Sequence, residues 1–325
     1  MAISIFNEAS TAIEKGVPFT LGIISGVKGS SPQKQGAKAL FFEDGRIVGT
    51  LGGGCLEAEV RKRSLEALRT KAPTQFDLVL DHDFGWDDGL ICGGKVSCLL
   101  LPDPVQAPTV FQQLAKRDVV RTWGVTTQHQ VVLTDDPNAK LLYRETILPP
   151  ECLWIAGAGH IGRAVAPLAE LVDFQVTIFD DRPAMADPKF FPAGTQLRVS
   201  SNWEELLSER FPSVPTLGLV LTRGHQHDAL VLSKWVHKPF AFLGMIGSRR
   251  KKTVIFEQFI AEGLATKEQL DRVSCPVGLP IGDVSVQEIA LSITAQLVQN
   301  RSERRISYEA ARNIRSPSLI KARVA

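Results

Sequence analysis

Two cysteines stand where the backbone is barest. Cys55 follows Gly52-Gly53-Gly54 in "GTLGGGCLE", and Cys92 precedes Gly93-Gly94 in "GLICGGK". Glycine beside a thiol lets a bulky group reach the sulfur without meeting a Cβ. The residues after Cys55 have helical spacing, so this thiol opens a helix, where the unpaired N–H groups favour the thiolate. Such a sulfur suits a nucleophile, a persulfide carrier or a soft metal ligand. The same residues suit a tight strand-to-helix turn with Cys55 as a small buried hydrophobe, and spacing alone leaves both readings open. Gly53, Gly54, Cys55 and Cys92 are therefore candidate binding positions, the two thiols also as metal contacts. Glu57 complements the helix dipole. The polar loop "SSPQKQGAK" offers Ser30, Ser31, Gln33 and Lys34 to an anion, and Asp81, Asp83, Asp87 and Asp88 fit either a cation or plain solvation. Cys98 and Cys152 read as packing residues.

A second group lies in the other half of the chain. Gly157-Ala-Gly-His-Ile-Gly162 matches GxGxxG between a strand-like and a helix-like stretch, with Asp180 and Asp181 about 20 residues further on. Glycines there allow a tight turn and close approach to a phosphate, the helix N-terminus attracts the anion, and an acid accepts from a ribose. Gly157, Gly159, Gly162 and Asp180 are candidates on that ground. His160 is either a ligand contact or a solvated helix-start residue, and Arg182 leaves NAD against NADP undecided. In "TRGHQHDA", His225, His227 and Asp228 follow the fourth strand as an extended stretch facing the glycine loop. The run admits polar ligand contact, a metal site with no further ligand specified, or Asp228 as an N-cap. In "GMIGSRRKK", Ser248 is placed to cap a helix and Arg249 and Arg250 to hold phosphate. A solvated basic face is the ordinary alternative.

The elements that must position these groups fall into two textures. From "CLWIAGAG" onward, apolar runs alternate with helical spacing: "QVTIFDD", "TLGLVLT" and "PFAFLGMIG" as strands, with "WEELLSERF", "DALVLSKWV", a helix from about Thr253 and "VQEIALSITAQLVQN" between and after them. That alternation predicts an α/β fold with a Rossmann-like, doubly wound parallel sheet. The first half predicts an α+β domain. "FTLGIISGVKGS" and "AKALFFEDGRIVGT" read as strands, the latter a hairpin turning at residues 43–46, with a helix from Cys55 and a strand at "GGKVSCLLLP". The expected division is 1–105, an extension and linker over 106–150, and 151–325, with "VVRTWGVTT" and "KLLYRET" extending the first domain's sheet.

Composition narrows the class. Of 325 residues 44% are hydrophobic and 22% charged, the profile of a soluble globular protein, and 37 basic against 35 acidic side chains give no bulk charge for nucleic acid. No apolar run approaches the roughly 20 residues of a membrane helix, and the N-terminus lacks a signal peptide's basic and apolar regions. Five cysteines, an odd number with no CxxC, favour reduced thiols in the cytoplasm.

The sequence resembles the XdhC/CoxI family, accessory proteins of xanthine dehydrogenase and related molybdenum hydroxylases. The resemblance rests on "GSSPQKQGAKALFFEDGRIVGTLGGGCLEAEV", "LICGGKV", "LWIAGAGHIGRAVAPLAELVDFQVTIFDDRP", "LTRGHQHD", "FLGMIGSRRKK" and "CPVGLPIGDVSVQEIALSI", in family order over nearly the whole chain. It departs at Gly52 and Cys275, where the family often has Ser. The resemblance implies a homodimeric protein that binds molybdenum cofactor, in mono- or dinucleotide form, and helps deliver its sulfurated form into an apo-molybdoenzyme. A cysteine desulfurase is the further partner it implies. Cys55 and Cys92 would then lie near the metal end, with Gly157, Gly159, Gly162, Arg249 and Arg250 at the phosphate end. The alternatives are an NAD(P)-dependent oxidoreductase with His225 or His227 as acid or base, and a metal-dependent pyrophosphatase or nucleotidyl transferase.

Overall fold

The structure, a computed structural model, describes residues 5–79, 94–105, 107–282 and 284–314, with side chains through Arg305. The chain divides into two compact units between Pro149 and Pro150. Among the described residues no helix is long and apolar enough to cross a membrane.

The N-terminal unit runs α1 (Ile5–Glu14), β1 (Phe19–Lys28), β2 (Lys38–Phe42), β3 (Ile47–Gly49), α2 (Gly54–Thr70), β4 (Thr74–Val79), β5 (Lys95–Pro102), α3 (Pro108–Lys116), β6 (Arg121–Thr126), β7 (Val131–Leu133) and β8 (Leu141–Ile147). An antiparallel sheet of order β3-β2-β1-β5-β4 is buried on both faces. Alternation separates the faces: Phe41, Val96, Cys98 and Leu100 pack under Leu56, Val60 and Ala67 of α2. Leu21, Leu40, Phe42 and Leu101 pack with Phe6 of α1 and Phe111 of α3. The turn at residues 43–46 closes the β2–β3 hairpin as expected, with Phe41 paired to Ile47.

The strands after residue 120 do not extend that sheet. They form their own, of order β7-β6-β8. Trp123, Val125 and Tyr143 bury their side chains in the core of α1 and α3, so these strands join the first sheet through its face rather than its edge.

The C-terminal unit runs β9 (Glu151–Ala156), α4 (His160–Leu171), β10 (Phe174–Asp180), β11 (Gln196–Val199), α5 (Trp203–Leu207), β12 (Thr216–Val220), α6 (Gly224–Trp235), β13 (Phe242–Met245), α7 (Arg249–Ala261), α8 (Lys267–Asp271), β14 (Val273–Ser274) and α9 (Val286–Ile314). Its sheet is parallel throughout, in the order β11-β10-β9-β12-β13-β14. Every residue of β9 is buried, as a strand covered on both faces requires. Leu153 and Ile155 enter one core with α4 and α9, while Trp154 and Ala156 enter the other with α5, α6 and α7. Counted from its own first strand the order is 3-2-1-4-5-6. Such a sheet places its ligand crevice beyond the carboxyl ends of strands 1 and 4, here β9 and β12.

Candidate functional site

In the N-terminal unit the chain leaves β3 and plugs Leu51, fully buried, into the core beneath α2. Glu57 reaches back from the first turn of α2. Its Oε2 accepts from Thr50 Oγ1 at 2.8 Å and from the Leu51 N–H at 3.0 Å, and Thr50 Oγ1 accepts the Gly52 N–H at 3.1 Å. Glu57 therefore does more than complement the dipole; it ties the turn to the helix. Gly52, Gly53 and Gly54 follow with φ of 115°, 70° and 58°, all left-handed. A Cβ on Gly53 or Gly54 would meet nothing within 4 Å, whereas one on Gly52 would lie 2.8 Å from Pro32 Cβ. Gly53 caps α2 with no side-chain bond, and Cys55 stands in its first turn half-buried and unpaired with any other cysteine. The turn before Cys55 is thus open at Gly53 and Gly54, and the thiol itself is half-buried.

The loop of residues 29–37 lies against this turn. Gln33 Cγ would be 3.2 Å from a Cβ on Gly52, and the carbonyl oxygen of Ser30 only 1.8 Å from one on Gly94. Ser31 Oγ is buried without a hydrogen-bond partner among the described residues. Lys38 anchors the loop's far end: its nearly buried Nζ donates to the Gly36 carbonyl at 2.5 Å and lies 2.7 Å from Glu145 Oε2. Glu145 Oε2 also accepts from Trp123 Nε1 at 2.9 Å. Sequence reading missed this anchor, since nothing in the spacing of Lys38 and Glu145 links them. Cys92 and the acids Asp81, Asp83, Asp87 and Asp88 lie outside the described residues. Cys98, Cys152 and Cys275 are buried, and desolvation raises all three thiols, Cys98 to about 11.

In the C-terminal unit the glycine turn closes the crevice as the fingerprint requires. A Cβ on Gly157, at φ 122°, would sit 2.2 Å from the Leu221 carbonyl oxygen, and one on Gly162 would sit 2.2 Å from that of Gly157. These two glycines serve backbone packing across β9, α4 and the end of β12. Gly159 differs: it caps α4 without a side-chain bond, and a Cβ there would meet nothing within 4 Å. That open face belongs to a helix N-terminus, which attracts anions. His160 beside it is exposed.

Asp180 departs from expectation. It ends β10, is 1% exposed, and has both carboxylate oxygens taken by its own chain. Oδ2 accepts the Ala158 N–H at 2.6 Å and Arg182 Nη2 at 2.8 Å; Oδ1 accepts the Arg182 N–H at 2.9 Å and Arg182 Nε at 2.8 Å. Burial raises this carboxyl, but the bonds from Arg182 and Ala158 outweigh it and hold the group below the usual range. Asp181 pairs with Arg223 Nη2 at 3.0 Å and lies 3.9 Å from His227 Nε2.

The HQHD run is helical, not extended, because α6 already starts at Gly224. His225 is exposed, His227 half-buried, and Asp228 fully buried. Asp228 is not the N-cap, a position held by Arg223. It accepts from the N–H and Oγ1 of Thr222 at 3.0 and 2.6 Å and is paired with Lys251, whose Nζ also donates to the Ile246 carbonyl at 3.2 Å. One cation of the SRRKK run is thereby structural. Ser248 does cap α7, accepting the Lys251 N–H at 3.2 Å. Arg249 and Arg250 are exposed in its first turn. No cluster of three or more His, Cys, Asp or Glu able to hold a metal ion occurs among the described residues.

Comparison with known proteins accounts for both units. A family model described as "XdhC and CoxI family" matches residues 12–80, and one described as "XdhC Rossmann domain" matches residues 153–297. The chain belongs to the XdhC/CoxI family. Cys55 falls within the first matched stretch and the crevice residues from Gly157 to Arg250 within the second. Relatives of this family member include the YqeB protein of Escherichia coli, 29% identical over 297 residues. That match covers 91% of this chain but only 46% of YqeB, so the chain spans about half of that relative's length. A probable xanthine dehydrogenase subunit from Bacillus subtilis is 27% identical, with 86% of this chain and 92% of that one covered. The molybdenum cofactor insertion chaperone PaoD of Escherichia coli is 23% identical, covering 92% and 88%. A crystal structure of a xanthine dehydrogenase from Bacillus halodurans superposes with a TM-score of 0.78 at 26% identity, covering 93% of this chain and 97% of that one.

Proposed function

We propose that this protein is an accessory factor that binds molybdenum cofactor and promotes its sulfuration and insertion into a molybdoenzyme of the xanthine dehydrogenase type. The observation that carries this reading is the thiol of Cys55, half-buried behind three glycines of positive φ, two of which leave their Cβ positions open. Molybdenum is thiophilic, and a cargo that bulky needs a sulfur with no Cβ in front of it. The names of PaoD and of the Bacillus subtilis relative support the same class of role.

The molybdenum cofactor also carries a phosphate, or a diphosphate in the nucleotide form. Within the C-terminal unit, the open N-terminus of α4 at Gly159 and the exposed guanidinium groups of Arg249 and Arg250 suit a group of that kind. In this reading the partners are the apo-molybdoenzyme and a cysteine desulfurase, the working form is a homodimer, and the setting is the cytoplasm. The test is transfer. Protein isolated without oxygen from cells that make the cofactor is mixed with an apo-xanthine dehydrogenase, and activity is followed against free cofactor at equal pterin. Faster and fuller reconstitution from the protein is expected; equal rates from both sources would reject the role.

A further inference from the structure

The parallel order 3-2-1-4-5-6 and the glycine turn imply an NAD-type dinucleotide, held through its adenosine ribose by the acid that ends the second strand. The residues present do not fit that ligand. Asp180 is the acid in question, and a carboxylate has about four lone-pair sites. All of them are engaged, by the Ala158 N–H and by the N–H, Nε and Nη2 of Arg182. The neighbouring acid is engaged as well, since Asp181 Oδ2 pairs with Arg223 at 3.0 Å and its Oδ1 lies 3.7 Å from Arg182 Nε. Neither oxygen of Asp180 is left for a ribose hydroxyl unless Arg182 swings away.

What this end of the crevice does present is donors. A guanidinium carries five N–H groups in a rigid fork, and Asp180 takes only Nε and Nη2 of Arg182. Its side chain is 26% exposed and that of Arg223 54% exposed. We propose that Arg182 is the specificity residue of the C-terminal unit: it closes the ribose-diol position and makes the crevice select ligands ending in a phosphate over ligands presenting a free ribose diol. This deepens the cofactor-binding reading above and rests on it for the crevice being a binding site. The phosphate can come from a pterin cofactor or from a 2′-phosphorylated dinucleotide, which share this chemistry.

The test titrates the full chain with NADH, NADPH and inorganic pyrophosphate by calorimetry. Wild-type protein is expected to favour NADPH or pyrophosphate over NADH by about tenfold or more, the scale of one charge-assisted hydrogen bond. Pyrophosphate as good as NADPH points to a terminal phosphate such as the pterin's, and NADPH much the better of the two points to a 2′-phosphate; both support the assignment. In Arg182→Ala, which frees Asp180, the preference reverses toward NADH, while Arg182→Lys keeps a weakened preference for phosphate. Wild-type preference for NADH, no binding of either phosphate ligand, or an unchanged ratio in both variants overturns it. Pterin content of each purified protein is read separately. A wild-type chain that selects phosphate but carries no pterin counts against the cofactor role and leaves the Arg182 assignment standing.

Discussion

Cys55 is half-buried on a turn where two neighbouring glycines leave their Cβ positions open, while Cys98, Cys152 and Cys275 are sealed in apolar surroundings that raise their thiols. In a Cys92→Ser background, a thiol reagent at pH 8 is therefore expected to modify Cys55 at least about tenfold faster than the other three, whose burial both blocks access and raises their thiols. Mass spectrometry of the labelled peptides reads this directly, and comparable rates at Cys98 would refute it. The glycines divide by what crowds them. Gly53→Ala meets no neighbouring atom but puts a side chain on a φ 70°, ψ −170° backbone that glycine alone readily adopts, and should cost about 1–3 kcal/mol. Gly157→Ala drives a methyl against the Leu221 carbonyl and should cost about 3 kcal/mol or more. Denaturant unfolding that ranks Gly53→Ala as the more damaging of the two would contradict the crevice geometry.

Two elements are held by ion pairs that spacing could not announce. The loop against Cys55 hangs on Lys38 and Glu145, from β2 and β8, with Trp123 as a third member. Lys38→Met leaves Glu145 without its cation and should destabilise the N-terminal unit by about 3 kcal/mol, with changed Trp123 fluorescence. The glycine turn likewise hangs on Asp180. Its folded carboxyl is depressed, so its contribution is complete above the unfolded value of about 4 and is lost as pH falls through the lower folded value. Melting of wild type and Asp180→Asn should differ at pH 7 and converge below about pH 4. A gap that persists undiminished into acid would assign the loss to something other than charge. Much of this scale was legible. Strands buried on both faces read as continuous apolar runs, so β9, β10, β12 and β13 stood out, as did the helix opening at Cys55. In the small sheet, β6 and β8 were legible as strands, but neither β7 nor the pairing was, because alternation marks a buried face and not a partner. The start of α6 was hidden because "GHQHD" is polar; burial of Asp228 against Thr222 and Lys251 makes it helical. The acid after the glycine turn was legible as well, but not the arginine two residues on that folds back to occupy it.

At the scale of the molecule, each unit offers one kind of chemistry: a thiol on bare backbone in the first, and in the second an open helix N-terminus with exposed arginines, proposed above to take a phosphate. The near balance of 37 basic and 35 acidic residues leaves recognition to local groups such as Arg182, Arg249 and Arg250. The PaoD and Bacillus subtilis relatives are matched over most of their length. The most direct test is the pterin and molybdenum content of wild-type and Cys55→Ala protein, isolated in parallel without oxygen from cells that make the cofactor. Stoichiometric loading of the wild type that is lost in the variant, with both equally folded, is the predicted result. Equal loading of the two, or a wild type that carries none, would contradict it.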